Sequence, residues 1–178
     1  MIDPEYQKIL DRGRDKHEQI KRQLTHLSKF NTKNFDHVVS DFHNEAFAEV
    51  DCMKCGNCCR HLGPLLQKSD IKRVAKEIGI DPIEFQSEQL RQDEEGDWVF
   101  KVMPCPFLEE DNSCNVYNKR PGACVDYPHT QERNIQRRLP RLAKNVLFCP
   151  AAVLISEKII KRYSKHSDPD RPGELGEE

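Results

Sequence analysis

Eight cysteines are the residues best able to do chemistry in this 178-residue sequence. Four of them lie within eight positions, at Cys52, Cys55, Cys58 and Cys59. A Cys-x-x-Cys step lets one tight turn direct two sulfurs at the same metal, and Gly56 can adopt the positive φ that such turns often need. Two consecutive steps, from Cys52 to Cys58, match the three-cysteine spacing of bacterial ferredoxins. Buried free thiols rarely cluster in this way, so the pattern predicts metal ligands.

The other cysteines lie beside prolines or turns, where short rigid segments can hold ligands without a large core. Neighbouring Cys58 and Cys59 diverge, so they indicate two nearby sites, or one ligand beside one free thiol. Folding must then bring a later cysteine to the first cluster, and Cys124, after Arg120-Pro121, is the best candidate. Eight sulfurs are enough for two four-sulfur sites, and the sequence leaves their partition open. The predicted ligands are Cys52, Cys55, Cys58, Cys59, Cys105, Cys114, Cys124 and Cys149.

Two metal centres suit such ligands, a structural zinc ion and a 4Fe-4S iron–sulfur cluster. The ferredoxin-like spacing favours iron–sulfur slightly, and it differs from the Cys-x3-Cys-x2-Cys spacing of radical S-adenosylmethionine enzymes. Either four-thiolate centre carries a net charge of −2. The basic residues beside the cysteines can offset that charge: Lys54, Arg60, Lys119 and Arg120.

Composition restricts the classes of protein. The chain has 28 Lys and Arg against 30 Asp and Glu, which argues against a general nucleic-acid binder. Residues 129–144 are basic, but a solvated helix face explains them better than an RNA site. His61 and His129 are more typical of polar neighbours than of ligands. The sequence has no apolar run long enough to span a membrane and no signal-peptide core, so we expect a cytoplasmic protein.

The elements that would position the cysteines are mostly helical. Weak periodicity over 5–29 and a clearer apolar stripe over 35–50 predict two helices before the cluster. Ser69-Asp70 begins a further helix that Gly79 ends, and Asp81 caps another that starts at Pro82. A strand over 98–102 and a small hairpin around the turn at 110–113 follow, and Pro150 opens the last helix.

The sequence therefore predicts a small, mostly helical α+β fold in which cysteine-rich loops clamp one or two metal centres. We expect three segments. Residues 1–50 form an N-terminal helical extension, residues 51–164 form the metal-binding domain, and residues 165–178 form a disordered acidic tail.

Three motifs resemble the YkgJ-like cysteine-cluster family of zinc- or iron-chelating proteins. They are Cys52-x2-Cys55-Gly-Asn-Cys-Cys59-Arg, Cys105-Pro-Phe-Leu108, and the run from Cys114 through Arg120-Pro121 to Cys124 and Tyr127-Pro128. With Cys149, the resemblance covers about residues 50–150. Val125 departs from it, since the family often has arginine there. Family labels include iron–sulfur oxidoreductase and flagellin N-methylase, and they imply metal binding more directly than any reaction.

Three functions remain open at this point. The first is an iron–sulfur electron-transfer or oxidoreductase module with a redox protein as partner. The second is a zinc-stabilised interaction domain without catalysis. The third is a methyl-transferring enzyme resembling flagellin N-methylase.

Overall fold

The computed structural model describes residues 2–163, and the predicted acidic tail over 165–178 lies outside them. It confirms a small α+β fold, because many short helices accompany one two-stranded antiparallel sheet. Two 3₁₀ turns occur at Tyr117–Lys119 and Ile135–Arg138. The elements are α1 Pro4–Asp15, α2 His17–Leu27, α3 Phe35–Glu49, α4 Cys52–Cys55, α5 Asn57–His61, α6 Lys68–Ile78, α7 Pro82–Gln89, β1 Leu90–Gln92, β2 Trp98–Phe100, α8 Gly122–Asp126, α9 Leu139–Asn145 and α10 Pro150–Arg162.

The chain divides into two compact units. The cysteine unit comprises Cys52–Tyr127 with Met1–Asp3, and the helical unit comprises Pro4–Asp51 with Pro128–Glu178. The residues after 127 thus group with the N-terminal helices by contact. The linear division at residues 50 and 164 stays a prediction about segments of sequence.

The cysteine unit has a small core built on α6, α7 and the sheet. Phe85, Phe100 and Phe107 contact one another, with ring centroids 5.5–6.5 Å apart. Cys105 and Cys114 are partly buried against this same core. The core therefore fixes the backbone at two of the predicted ligands. Its buried members are Leu66, Ile71, Val74, Ala75, Phe85, Leu90, Phe100, Phe107 and Val116.

The helical unit packs α1, α2, α3, α9 and α10 around fully buried aliphatic side chains such as Leu24 and Ile155. At Gly13 a Cβ atom would lie 2.5 Å from Val153, so α1 and α10 approach more closely than a side chain allows. Gln136 donates to the carbonyl of Leu27 and accepts from the amide of Thr32, which fixes the loop after α2. No helix among the described residues is long and apolar enough to cross a membrane.

The predicted end of α6 and start of α7 are confirmed, whereas α6 begins at Lys68 and not at Ser69-Asp70. α6 ends where Gly79 adopts a left-handed conformation with φ 75°. The side chain of Asp81 accepts hydrogen bonds from the backbone amides of Ile83 and Glu84, and Pro82 occupies the first turn of α7. The helix predicted after Pro150 is α10. These signals are local, because Gly79 donates to carbonyls of α6 and Asp81 accepts from amides of α7.

Other predicted elements differ in detail. The helix expected over 5–29 is two helices that meet at Lys16. The hairpin expected around 110–113 is reduced to a single bridge between Leu108 and Cys114, because Tyr117–Lys119 turns into a 3₁₀ helix. The strand expected at Trp98 pairs with β1, which the sequence reading did not include. Three-residue strands carry too little alternation to be recognised from sequence.

Candidate metal centre

The first cysteine cluster forms two short helices around a left-handed glycine. α4 contains Cys52 and Cys55, α5 contains Cys58 and Cys59, and Gly56 between them has φ 57°. The predicted positive φ at Gly56 is confirmed. Cys52 is exposed, Cys55 is buried, and Cys58 and Cys59 are half-buried. Cys55 is therefore the most deeply buried of the four, and Cys52 is the most accessible.

Asn112 fixes this cluster to the turn before Cys114. Asn112 is 8% exposed, has φ 75°, and donates its amide to the carbonyl of Lys54 at 2.9 Å. Arg60 donates to the side-chain oxygen of Asn112 and to the carbonyl of Cys55. These contacts hold both sides of Gly56. From the sequence, Asn112 was predicted only to lie in a turn. The one indication of its conformation was that asparagine tolerates a left-handed backbone.

Gly56→Ala is expected to destabilise the protein and to weaken metal binding. A Cβ atom there would lie 2.8 Å from the Arg60 guanidinium and 3.2 Å from Cβ of Asn112. The left-handed backbone adds about 1–2 kcal/mol for any residue with a Cβ. Denaturant unfolding and zinc competition titrations measure both effects.

Gly79→Ala is the matched control, because Gly79 has φ 75° but nothing within 4 Å of its Cβ position. This variant should lower the free energy of unfolding by only about 1–2 kcal/mol, which is the cost of the left-handed backbone, and it should leave zinc affinity unchanged. Equal losses of stability in both variants, with unchanged zinc affinity, would show that the crowding around Gly56 is irrelevant.

Backbone contacts bring the later cysteines to the first cluster. The amide of Cys105 donates to the carbonyl of Cys59 at 2.8 Å. Cys114 pairs with Leu108, and the amide of Leu108 donates to the carbonyl of Cys105. Cys105 is therefore hydrogen-bonded directly to Cys59, and Cys114 is connected to Cys105 through its bridge with Leu108.

Cys124 lies in α8, directly after the Arg120-Pro121 step. Its amide donates to the carbonyl of Pro121 at 2.9 Å. Arg120 donates to the carbonyl of Tyr117 at 2.9 Å, and its guanidinium carbon lies 3.9 Å from the centroid of the Tyr117 ring. This stacking orients a positive charge beside the thiols.

The side chains of Cys58 and Cys59 approach each other and do not diverge as expected, and the pKa of Cys59 is lowered. A hydrogen bond with Cys58, whose sulfur lies 3.9 Å away, lowers the pKa of Cys59 to about 7 against the opposing effect of burial. The charges of Arg60 and Arg120 lower it further. Cys59 is thus poised to be a thiolate near neutral pH.

The neighbouring thiols have raised pKa values. Burial raises the pKa of Cys105 to about 11 and that of Cys124 to about 12, and negative charge on Cys59 adds to both shifts. Burial and the same charge also raise the pKa values of Cys55 and Cys114. Cys59 is therefore a shared electrostatic neighbour of four thiols from separate parts of the chain.

Metal-free protein is expected to alkylate first at Cys59. With a pKa of about 7, this thiol is about half ionised at neutral pH, whereas Cys105 and Cys124 stay protonated. Mass spectrometry after brief iodoacetamide treatment from pH 5 to 9 should give a half-maximal rate at Cys59 near pH 7. Cys58→Ala should move that midpoint upward, since it removes the hydrogen bond. A rate at Cys59 that still rises steeply at pH 9 would contradict the low pKa.

The structure brings most, but not all, of the predicted ligands together. Six of them form the thiol cluster: Cys55, Cys58, Cys59, Cys105, Cys114 and Cys124. Cys52 begins α4 at the exposed surface. Cys149 belongs to the helical unit, where it is buried at the start of α10, and its role as a ligand stays a prediction.

The two candidate histidines have different surroundings. His61 is exposed at the end of α5. His129 belongs to the helical unit, where its ring lies 3.0 Å from Glu132. Within residues 2–163, no three metal-ligating side chains are placed to hold an ion as they stand.

The fold and the thiol cluster define a small α+β protein with cysteine-rich loops gathered on a compact aromatic core. The chain belongs to the CxxCxxCC family, described as a "putative zinc- or iron-chelating domain", whose family model matches residues 51–144. The resemblance found from the motifs is thereby confirmed. No curated protein and no solved structure matches the chain.

Proposed function

We propose that the chain is an iron–sulfur protein that transfers electrons to or from a redox protein partner. The observation that carries this proposal is the gathering of cysteines around Cys59. Its sulfur lies 3.9 Å from that of Cys58, and its carbonyl accepts from the amide of Cys105. Its charge also raises the pKa values of the thiols at 55, 105, 114 and 124. Thiolates are the soft ligands that iron–sulfur centres and zinc require, so the donor set fits the group.

The surrounding charges fit a thiolate-bound centre as well. Arg60 and Arg120 both lower the pKa of Cys59, so they stabilise negative charge at the cluster. The family match extends the argument, because it covers the same cysteines and describes zinc or iron chelation. The ligands in this proposal are Cys52, Cys55, Cys58, Cys59, Cys105, Cys114 and Cys124, with Cys149 as the eighth candidate.

An iron–sulfur cluster bound here would supply one-electron transfer. The residues of the chain would set its environment. Phe107 and Val116, in the core beside Cys105 and Cys114, exclude water from one side, and the guanidinium groups of Arg60 and Arg120 balance charge on the other ligands.

A zinc-stabilised interaction domain is the second candidate, and one observation favours it. The core of the cysteine unit holds only nine buried residues, so a structural ion would offset the limited apolar burial. In either case a reducing compartment such as the predicted cytoplasm would keep the thiols reduced and able to bind metal.

Metal and acid-labile sulfide analysis of anaerobically purified full-length protein tests the proposal. Iron and sulfide in equal amounts, with broad visible absorption, are expected. Zinc without sulfide or colour would replace the proposal with the second candidate. If the parent protein holds no more iron or zinc than a Cys55→Ser, Cys59→Ser double variant, both candidate functions are overturned.

A further inference from the structure

Asp70, a buried carboxylate of α6, binds the segment that carries Cys124. Asp70 is 5% exposed. One of its oxygens accepts from the amide of Gln67 at the start of α6, at 2.9 Å. The other accepts from the amide of Gly122, at 3.2 Å. The same carboxylate therefore caps α6 and holds the beginning of α8.

Arg73 completes the connection one turn later on α6. Its guanidinium lies 2.5 Å from Asp70. It also donates to the carbonyl of Arg120 at 2.9 Å and to that of Lys119 at 3.3 Å. Asp70 and Arg73 thus bind three backbone groups within the segment 119–122.

Helix capping alone does not explain this arrangement. Asp81 caps α7 from an exposed position and needs no arginine. Burying the carboxylate of Asp70 costs free energy that its pairing with Arg73 has to offset. Since Ile71, Val74 and Ala75 anchor α6 in the core, the position of the Cys124 segment is tied to that core.

We propose that Asp70 and Arg73 are positioning residues for metal binding, which act by placing the 119–124 segment so that Cys124 reaches the thiol cluster. This inference rests on the proposed function, in which Cys124 is a ligand. Groups that orient metal ligands from outside commonly contribute about 10–100-fold to affinity.

A double-mutant cycle on the full-length protein tests the inference, with zinc affinity measured by competition against a chromophoric chelator under reducing conditions. Asp70→Asn and Arg73→Ala should each weaken zinc binding by about 10–100-fold. In a Cys124→Ser background, neither should weaken it further, because the ligand that they position is already lost. Asp81→Ala, which removes a capping carboxylate from the same unit, should leave affinity within about twofold of the parent.

Arg73→Lys is a milder variant, which keeps the test usable if Arg73→Ala does not fold. It keeps a positive charge beside Asp70, but one ammonium group replaces the planar fork that reaches two carbonyl oxygens. A smaller loss of affinity is expected. Losses that multiply with Cys124→Ser would overturn the positioning role and leave the ligand assignment standing. Unchanged affinity in Cys124→Ser alone would overturn the ligand assignment, and the positioning role with it.

Discussion

Removing the metal under reducing conditions is expected to lower the melting temperature of the protein by about 8–16 °C. A ligand at 1,000 times its dissociation constant stabilises the folded state by about 4.1 kcal/mol. Each kcal/mol shifts the melting temperature of a chain of this size by about 2–4 °C. The effect is large because the cysteine unit has a small core and holds its cysteines in short turns.

Trp98 provides a selective probe of this loss. It is the single tryptophan of the chain, and it packs against the core of the cysteine unit. Its fluorescence should report the lowered transition after chelation, and returning zinc or iron should restore the original value, whereas magnesium should not. A metal-free protein that melts at the same temperature as the loaded protein would exclude a main structural role for the metal.

Replacing a ligand of the first cluster with serine is expected to weaken metal binding strongly. The loss should exceed the about 10–100-fold that follows removal of a group that only orients a ligand. Cys52→Ser, Cys55→Ser and Cys58→Ser each exchange a soft thiolate for a hydroxyl that zinc and iron–sulfur centres bind poorly. Metal content of the purified variants and zinc affinity by competition measure the loss.

Val125→Ala is the control for these variants. Val125 follows Cys124 in α8 and is 55% exposed, so its truncation alters another cysteine-bearing segment of the same unit without removing a thiol. It should bind metal like the parent. Full metal stoichiometry in all three serine variants would show that these cysteines are not metal ligands.

Local features of the fold could be predicted from the sequence because each depends on a few neighbouring residues. The end of α6 at Gly79 and the cap of α7 at Asp81 need only the residues beside them. The positive φ of Gly56 follows from the tight step between two cysteines. The motif spacing predicted the metal-binding family for the same reason.

Long-range contacts could not be predicted in this way. Asn112 donates to a carbonyl 58 positions earlier, and Asp70 accepts from an amide 52 positions later. Neither partner carries a side-chain signal, since both are backbone groups. Strand β1 likewise depends on packing that leaves no periodic pattern in the sequence. The same is true of the contacts that group the residues after 127 with the N-terminal helices.

The central claim is that cysteine sulfurs of this chain ligate a metal. X-ray absorption at the edge of the bound metal, on anaerobically purified full-length protein, tests it most directly because it counts the neighbouring atoms by type. The account predicts a first shell of four sulfurs, at about 2.3 Å for zinc. A first shell made only of oxygen and nitrogen would contradict it.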